Sequence, residues 1–257
     1  MQAKPTLEDT LSLMRDLRAR CDWDKAQTHE SLRPYLIEEA YEVDDAIRAG
    51  DDAKLREELG DLLLQVLFHA VVAEERGAFT MHDVADGFIT KMKGRHPHLY
   101  GDGVKQPWEE MKAQRRASIV DGLPADLPAL HRAFRLQDRA AGVGFDWPDV
   151  DGPIQKVEEE LLEVRDELRQ TRPSDAAPVY DDAHARLEEE IGDLLFAVVN
   201  LSRKAGVHPA LALDKANVKF ARRFGAVEQM AAARGFKPGE ASLDQLDALW
   251  DEVKGGE

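Results

Sequence analysis

One pattern occurs twice in the 257 residues and limits what the chain can become: Glu38-Glu39-x-x-Glu42 followed by Leu59-Gly60-Asp61-Leu62-Leu63, then Glu159-Glu160-x-x-Glu163 followed by Ile191-Gly192-Asp193-Leu194-Leu195. Asp22-Trp23 precedes the first set and Asp146-Trp147 the second. An ordered set that recurs marks two copies of one supersecondary plan, since unrelated surface helices have no reason to keep this order. The length allows one or two domains, each long enough to bury a core.

Both copies read as helix. Thr6 caps a segment with Leu7, Leu11, Met14 and Leu17 at helical spacing, and Asp22-Trp23-Asp24 ends it. A second helix is expected from near Ser31, with Pro34 in its first turn and Leu36, Ile37, Ala40, Val43 and Ile47 on one face. Gly50-Asp51-Asp52 turns the chain into a helix from Lys54 to about Glu75, and Thr80 caps another to about Gly94. The second copy gives helices from Pro128 to about Ala141, Gly152 to Gln170, Ala183 to Lys204 and Pro209 to about Arg234. Ser242-x-x-Gln245 is a capping box for the last. A polar stretch from Thr171 to Asp182 loops out. No segment reads as strand, so the expected fold is all-α, with a first repeat over residues 1–120, a Pro-rich linker over 121–130 and a second repeat over 131–257.

Composition narrows the function. A formal net charge of −16 repels phosphates in general, so neither broad nucleic-acid binding nor attachment to an anionic membrane is expected. The longest apolar region, Leu62 to Ala73, is interrupted by Gln65 and His69, and Met1-Gln-Ala-Lys-Pro5 is no signal peptide. The single cysteine, Cys21, excludes an intramolecular disulfide framework; a reducing, cytoplasmic setting is expected. A phosphate substrate would need a metal ion or a local gathering of Lys and Arg.

The repeated acids offer that metal site. Glu39 and Glu42 lie three apart, as do Glu58 and Asp61, so each pair shares a helical face about 5–6 Å apart at Cβ. If the two helices pack antiparallel across their turn, four carboxylates converge, and their mutual repulsion calls for a divalent cation. Taken alone, a Glu-x-x-Glu is usually a solvated surface stripe. Here Glu58 and Asp61 adjoin Leu59, Leu62 and Leu63 on a largely apolar helix, and the arrangement occurs twice.

Glu-Glu-x-x-Glu, a gap, then Glu-x-x-Asp resembles the signature of the MazG family within the all-helical NTP pyrophosphohydrolases. Fifteen residues separate Glu42 from Glu58, and twenty-six separate Glu163 from Glu190. The resemblance extends to Trp23-Asp24-Lys25-x-Gln27-Thr28-His29, Arg95-His96-Pro97-His98, Val143-Gly144-Phe145-Asp146-Trp147 and Asn217-x-Lys219-Phe220-x-Arg222-Arg223-Phe224. It departs at Asp22, where the family usually has proline.

The resemblance implies hydrolysis of a nucleoside triphosphate to the monophosphate and pyrophosphate, with water attacking the α-phosphorus and Mg²⁺, or Mn²⁺ in its place, as cofactor. Glu160, Glu163, Glu190 and Asp193 would hold the metal, and Glu159 is the candidate base. Lys219 and Arg223, four apart on one helix, would bind phosphates with Asn217 and Arg186, and Trp250 would stack on the base. The first repeat carries Glu38, Glu39, Glu42, Glu58, Asp61, Lys91 and Arg95, but has Ile89 where the second has Asn217, and no counterpart to Trp250. Catalysis is therefore expected in the second repeat, and the family's pairing about a two-fold axis implies a homodimer.

Two other readings compete. A ferritin-like carboxylate protein needs Glu-x-x-His, and none of the eight histidines follows a glutamate by three. A non-enzymatic acidic helical scaffold explains the composition but not the fixed company of the acids with Lys219 and Arg223. His96 and His98 beside Pro97 read as a turn rather than a transition-metal site.

Overall fold

The computed structural model describes residues 4–105, 109–110, 116–170 and 182–256, and among them every regular element is helical. The chain divides into two compact units, residues 1–105 and 106–257. This division falls earlier than the punctuation at 121–130. Residues 116–122 pack with the second unit because Arg139, 6 % exposed, donates to the carbonyls of Ile119 and Asp121, at 2.7 and 3.0 Å.

The first unit contains α1 (Leu7–Arg20), α2 (Asp22–Ala26), α3 (His29–Ala49), α4 (Asp52–Glu75), α5 (Met81–Arg95) and the single turn α6 (Pro97–Tyr100). Capping boxes at Thr6, Thr28 and Thr80 start α1, α3 and α5. Helix α3 therefore begins ahead of Ser31, and Pro34 sits inside it rather than in its first turn. Gly50, at φ 65°, ends α3 in the left-handed conformation that glycine adopts freely, and Asp51 caps α4 with bonds to the amides of Ala53 and Lys54. The sharp turn makes α3 and α4 an antiparallel hairpin.

Helix α1 lays Leu11 and Met14 on Leu67, Phe68, Val71 and Val72 of α4, with Leu32 of α3 closing the core. Each such burial contributes about 1.5–3 kcal/mol. Arg18, at the end of this face, pairs with Glu75 and donates to the carbonyls of Asp24 and Gln27, which fastens α2 to α1 and α4. The face expected to be buried on α3 differs: Leu36, Ile37 and Ile47 are exposed, while Leu32 and Ala46 are the buried positions. Periodicity reports where the apolar groups are, and not what covers them.

The second unit contains α7 (Ala129–Ala141), α8 (Asp151–Gln170), α9 (Asp182–Lys204), α10 (Pro209–Ala233) and α11 (Leu243–Gly255). Helices α8 and α9 are the counterpart of the α3–α4 hairpin; the expected polar loop joining them, residues 171–181, lies outside the described residues. Helix α7 packs on α9 and α10. The ends of α10 and α11 share a small core of Val227, Ala231 and Leu249, edged by Met230, Phe236, Leu246, Trp250 and Val253.

Candidate functional site

Each hairpin brings its acids together. In the first unit Glu39 of α3 and Glu58 and Asp61 of α4 place carboxylate oxygens within 4.8 Å of one another, and in the second Glu160 of α8 joins Glu190 and Asp193 of α9 in the same way. The i, i+3 spacing on α4 and α9 sets the two acids one turn apart, and the facing helix supplies the third. Glu58 and Glu160 are 8 % and 4 % exposed, and one carboxylate oxygen on each of Glu39 and Glu160 is buried without a partner. Such groups are costly unless something neutralises them.

The electrostatics carry the same message. Burial, then the charges of Asp61, Glu42 and Glu58, pushes Glu39 above the ordinary carboxylate range, and burial followed by Glu42 does the same to Glu58. Glu190 is raised by burial and by Glu160 and Asp193. Glu163 is raised chiefly by a hydrogen bond with Glu160, then by burial. The fourth acid of each set, Glu42 or Glu163, is therefore electrostatically part of its cluster. Oxygen-only donors with orphaned buried oxygens fit a hard divalent cation, and the absence of histidine or cysteine among them disfavours softer metals.

The second cluster differs in two ways from its twin, where the paired lysine is Lys54 of α4, 3.8 Å from Glu58. Lys156, one turn before Glu160 on α8, pairs with Glu160 and, at 3.0 Å, with Glu159; these bonds raise its pKa. Its counterpart in the first unit is Tyr35. A cavity of about 860 Å³ also opens beside the cluster, with Glu160, Asp193 and Lys156 among its polar lining and Leu136, Trp147 and Phe196 among its apolar walls.

The Asp146-Trp147 loop forms one wall. Asp146 accepts from Arg203 and from Lys204, and Lys204 also donates to the Trp147 carbonyl. Burial pushes Asp146 up, but these two cations outweigh it and hold its carboxyl below the usual range. The Trp147 ring lies where a Cβ on Gly152 would stand, 2.3 Å from its nearest atom, so the glycine that opens α8 lets the indole lie flat on the helix.

In the first unit the corresponding space is filled. Asn200, seven residues after Asp193, lines the cavity, whereas Phe68, seven after Asp61, is 2 % exposed in the core with Met14 and Leu11. The Trp23 and Arg18 side chains close over the Phe68 ring, at 6.4 and 5.7 Å between centres.

The remaining sequence candidates fall in three groups. Glu159 is exposed and tied to the cluster through Lys156. Arg186 is drawn to Glu167 at 3.1 Å. Asn217 and Lys219 are exposed on α10, where the Arg223 guanidinium lies 6.0 Å from the ring of half-buried Trp250. Phe220 lies close by, its ring tilted 44° to the same indole at 5.4 Å between centroids. Arg223 and Trp250 thus come together, but neither lines the cavity, nor do Asn217, Lys219 and Arg186. In the first unit Glu38 and Lys91 are exposed and Arg95 is half-buried. Lys156, Gln137, Asn200 and Phe196 were not singled out from the sequence. Only Lys156, four residues before Glu160, carried a readable signal, an i, i+4 charge pair aimed at the acids.

The fold and site define a class: all-helical proteins whose helical hairpin presents a cluster of carboxylates suited to a hard cation. A family model described as the MazG nucleotide pyrophosphohydrolase domain matches residues 27–100, which span the first hairpin. The nucleoside triphosphate pyrophosphohydrolase/pyrophosphatase MazG of Thermotoga maritima is 45 % identical over 260 residues, covering 97 % of this chain and 96 % of that protein. The nucleoside triphosphate pyrophosphohydrolase of Escherichia coli K12 is 44 % identical over 253 residues, 94 % of this chain and 93 % of the relative. That of Mycobacterium tuberculosis is 44 % identical over 168 residues, 62 % of this chain and 50 % of the relative. The chain belongs to the MazG family.

Proposed function

We propose that the protein hydrolyses nucleoside triphosphates to the monophosphate and pyrophosphate, by attack of water at the α-phosphorus, in the second unit. The observation that carries this reading is the cavity: a space large enough for a nucleotide adjoins Glu160 and Asp193, while Phe68 fills the corresponding place beside the first cluster. The family match falls on the first hairpin, but its carboxylates alone do not hold a substrate in line for attack.

Glu160, Glu163, Glu190 and Asp193 would hold Mg²⁺, with Mn²⁺ an acceptable substitute. The bound cation supplies charge neutralisation to the triphosphate and lowers the pKa of water. Lys156 pairs with Glu159 and Glu160 and can turn its ammonium toward an incoming phosphate. Glu159 is exposed, shares Lys156 with Glu160, and would accept the proton of the attacking water. Arg223 and Lys219, one turn apart on α10, are the further phosphate ligands, with Asn217 beside them, Trp250 as an aromatic platform and Arg186 freed from Glu167. They lie off the cavity in a single chain, so the reading includes a homodimer. It is supported by apolar residues left exposed on the second hairpin, among them Leu161, Leu162 and Leu195. The single Cys21 suits a reducing, cytoplasmic setting.

The test is product analysis with ATP in ¹⁸O-labelled water. AMP carrying the label, unlabelled pyrophosphate, no ADP and no turnover in excess EDTA are expected. Orthophosphate as the first product, or full activity in EDTA, would overturn the reading.

A further inference from the structure

Gln137 of α7 is 6 % exposed and lines the cavity that holds Glu160 and Asp193. Its orientation is fixed: a backbone carbonyl can only accept, so the 2.8 Å contact with the Phe196 carbonyl requires the amide nitrogen of Gln137 there. The amide oxygen is left buried with no protein partner. Buried acceptors are almost always satisfied, and one held at the wall of a ligand-sized cavity by a bond on its other atom is a preorganised receptor for an N–H donor. Nearby Asn200 is fixed in the opposite sense, its Oδ1 accepting from Arg203 Nε and Nη2 at 3.1 and 2.9 Å, so that its NH₂ remains to donate. Glu160 and Asp193, the apolar Leu136 and Phe196, and the polar groups of Gln137 and Asn200 with set polarity all line the same cavity, the three kinds of surface that phosphate, flat ring and ring edge require.

We propose that Gln137 is the residue that reads the nucleobase: its Oε1 accepts a hydrogen bond from an N–H on the edge of the base, the 6-amino group in the case of adenine, while the phosphates lie beside Glu160 and Asp193. The assignment rests on the reading that the second unit's cavity takes the nucleotide, and it makes Gln137 a specificity determinant rather than a structural tie between α7 and α9. A base without that donor leaves Oε1 unpaired in a water-poor site, and sites built to pair a polar group discriminate strongly against analogues that lack it.

The experiment compares kcat/KM for pyrophosphate release from ATP and from purine ribonucleoside triphosphate, which lacks the 6-amino group, at saturating Mg²⁺. The full-length protein and its Gln137→Met variant are used. The wild type should favour ATP by at least about 10-fold, and the variant should treat the two alike, having lost rate on ATP only. Equal use of both substrates by the wild type overturns the proposal, as does a preference that survives in the variant. A structural tie would instead lower both rates together and keep their ratio. The wild-type comparison uses unaltered protein, so a variant that failed to fold would not shield the proposal. Turnover without discrimination condemns the role of Gln137 alone; no turnover of either substrate condemns the nucleotide reading beneath it.

Discussion

At the scale of single residues, the two carboxylate sets are near twins and their neighbours are not. Glu163→Gln or Asp193→Asn removes one negative oxygen from the second cluster while nearly preserving shape. Metal-site substitutions even outside the ligand set cost about 10–100-fold, so pyrophosphate release should fall at least about 100-fold in either variant. Glu42→Gln and Asp61→Asn, in the unit whose space is filled by Phe68, should cost less than about 5-fold on the same scale. Steady-state rates on one NTP at saturating Mg²⁺, with circular dichroism as the check on folding, decide it: equal losses in both units would place a working site in each. What the sequence made legible at this scale was the acids, because charge at i, i+3 within an apolar helix is conspicuous. Gln137 and Asn200 were invisible, since an amide on a helix has no signature until its partner atoms are seen. Trp250 was legible as an aromatic, yet its half-buried place against Leu249 and Val227 could not be read from spacing.

At the scale of elements, the caps were the readable part: Thr6, Thr80 and Ser242 start helices where side-chain oxygen precedes an apolar run. The start of α3 was misplaced because Thr28 and Ser31 can both cap, and the reciprocal bond between them favours Thr28. Two elements are joined by a pair the sequence did not suggest. The guanidinium of Arg76, just past α4, donates to His29 Nε2 at 3.0 Å, so the proton of His29 sits on Nδ1, 2.8 Å from Nδ1 of His69. Both rings are therefore neutral in the bonded arrangement, and burial, then the neighbouring His29, lowers the pKa of His69. A histidine depressed in the folded state contributes stability that is fully present above its unfolded value of about 6.5 and is lost as pH falls through the folded one. The melting temperature, measured in saturating Mg²⁺ to keep the carboxylates ionised, should drop below pH 6.5. His69→Gln should flatten that drop. An identical pH profile in wild type and variant would show that the pair does not govern it.

At the scale of the whole molecule, the duplicated plan was plain from the order of its motifs, and so was the all-α class. The division at residue 105 was not, because the bonds from Arg139 that draw residues 119–122 to the second unit are long-range in sequence. Nor could periodicity distinguish a filled unit from an open one, since Phe68 and Asn200 differ by one side chain at matched positions. That single exchange has a kinetic consequence. Protection of backbone amides against hydrogen exchange follows how often a region opens, and close apolar packing keeps openings rare. Amides of α1 and α4, clamped around Phe68, should exchange slowest, whereas those of α7 and the last turns of α9 border open space and should exchange sooner. A bound nucleotide would supply the missing contacts. Mass spectrometry of deuterated peptides with Mg²⁺ and a non-hydrolysable NTP should then show slowing in residues 129–141 and 191–204 and almost none in 7–20 and 52–75. One half of this molecule would behave as a solid before its ligand arrives, and the other half would become one only afterward.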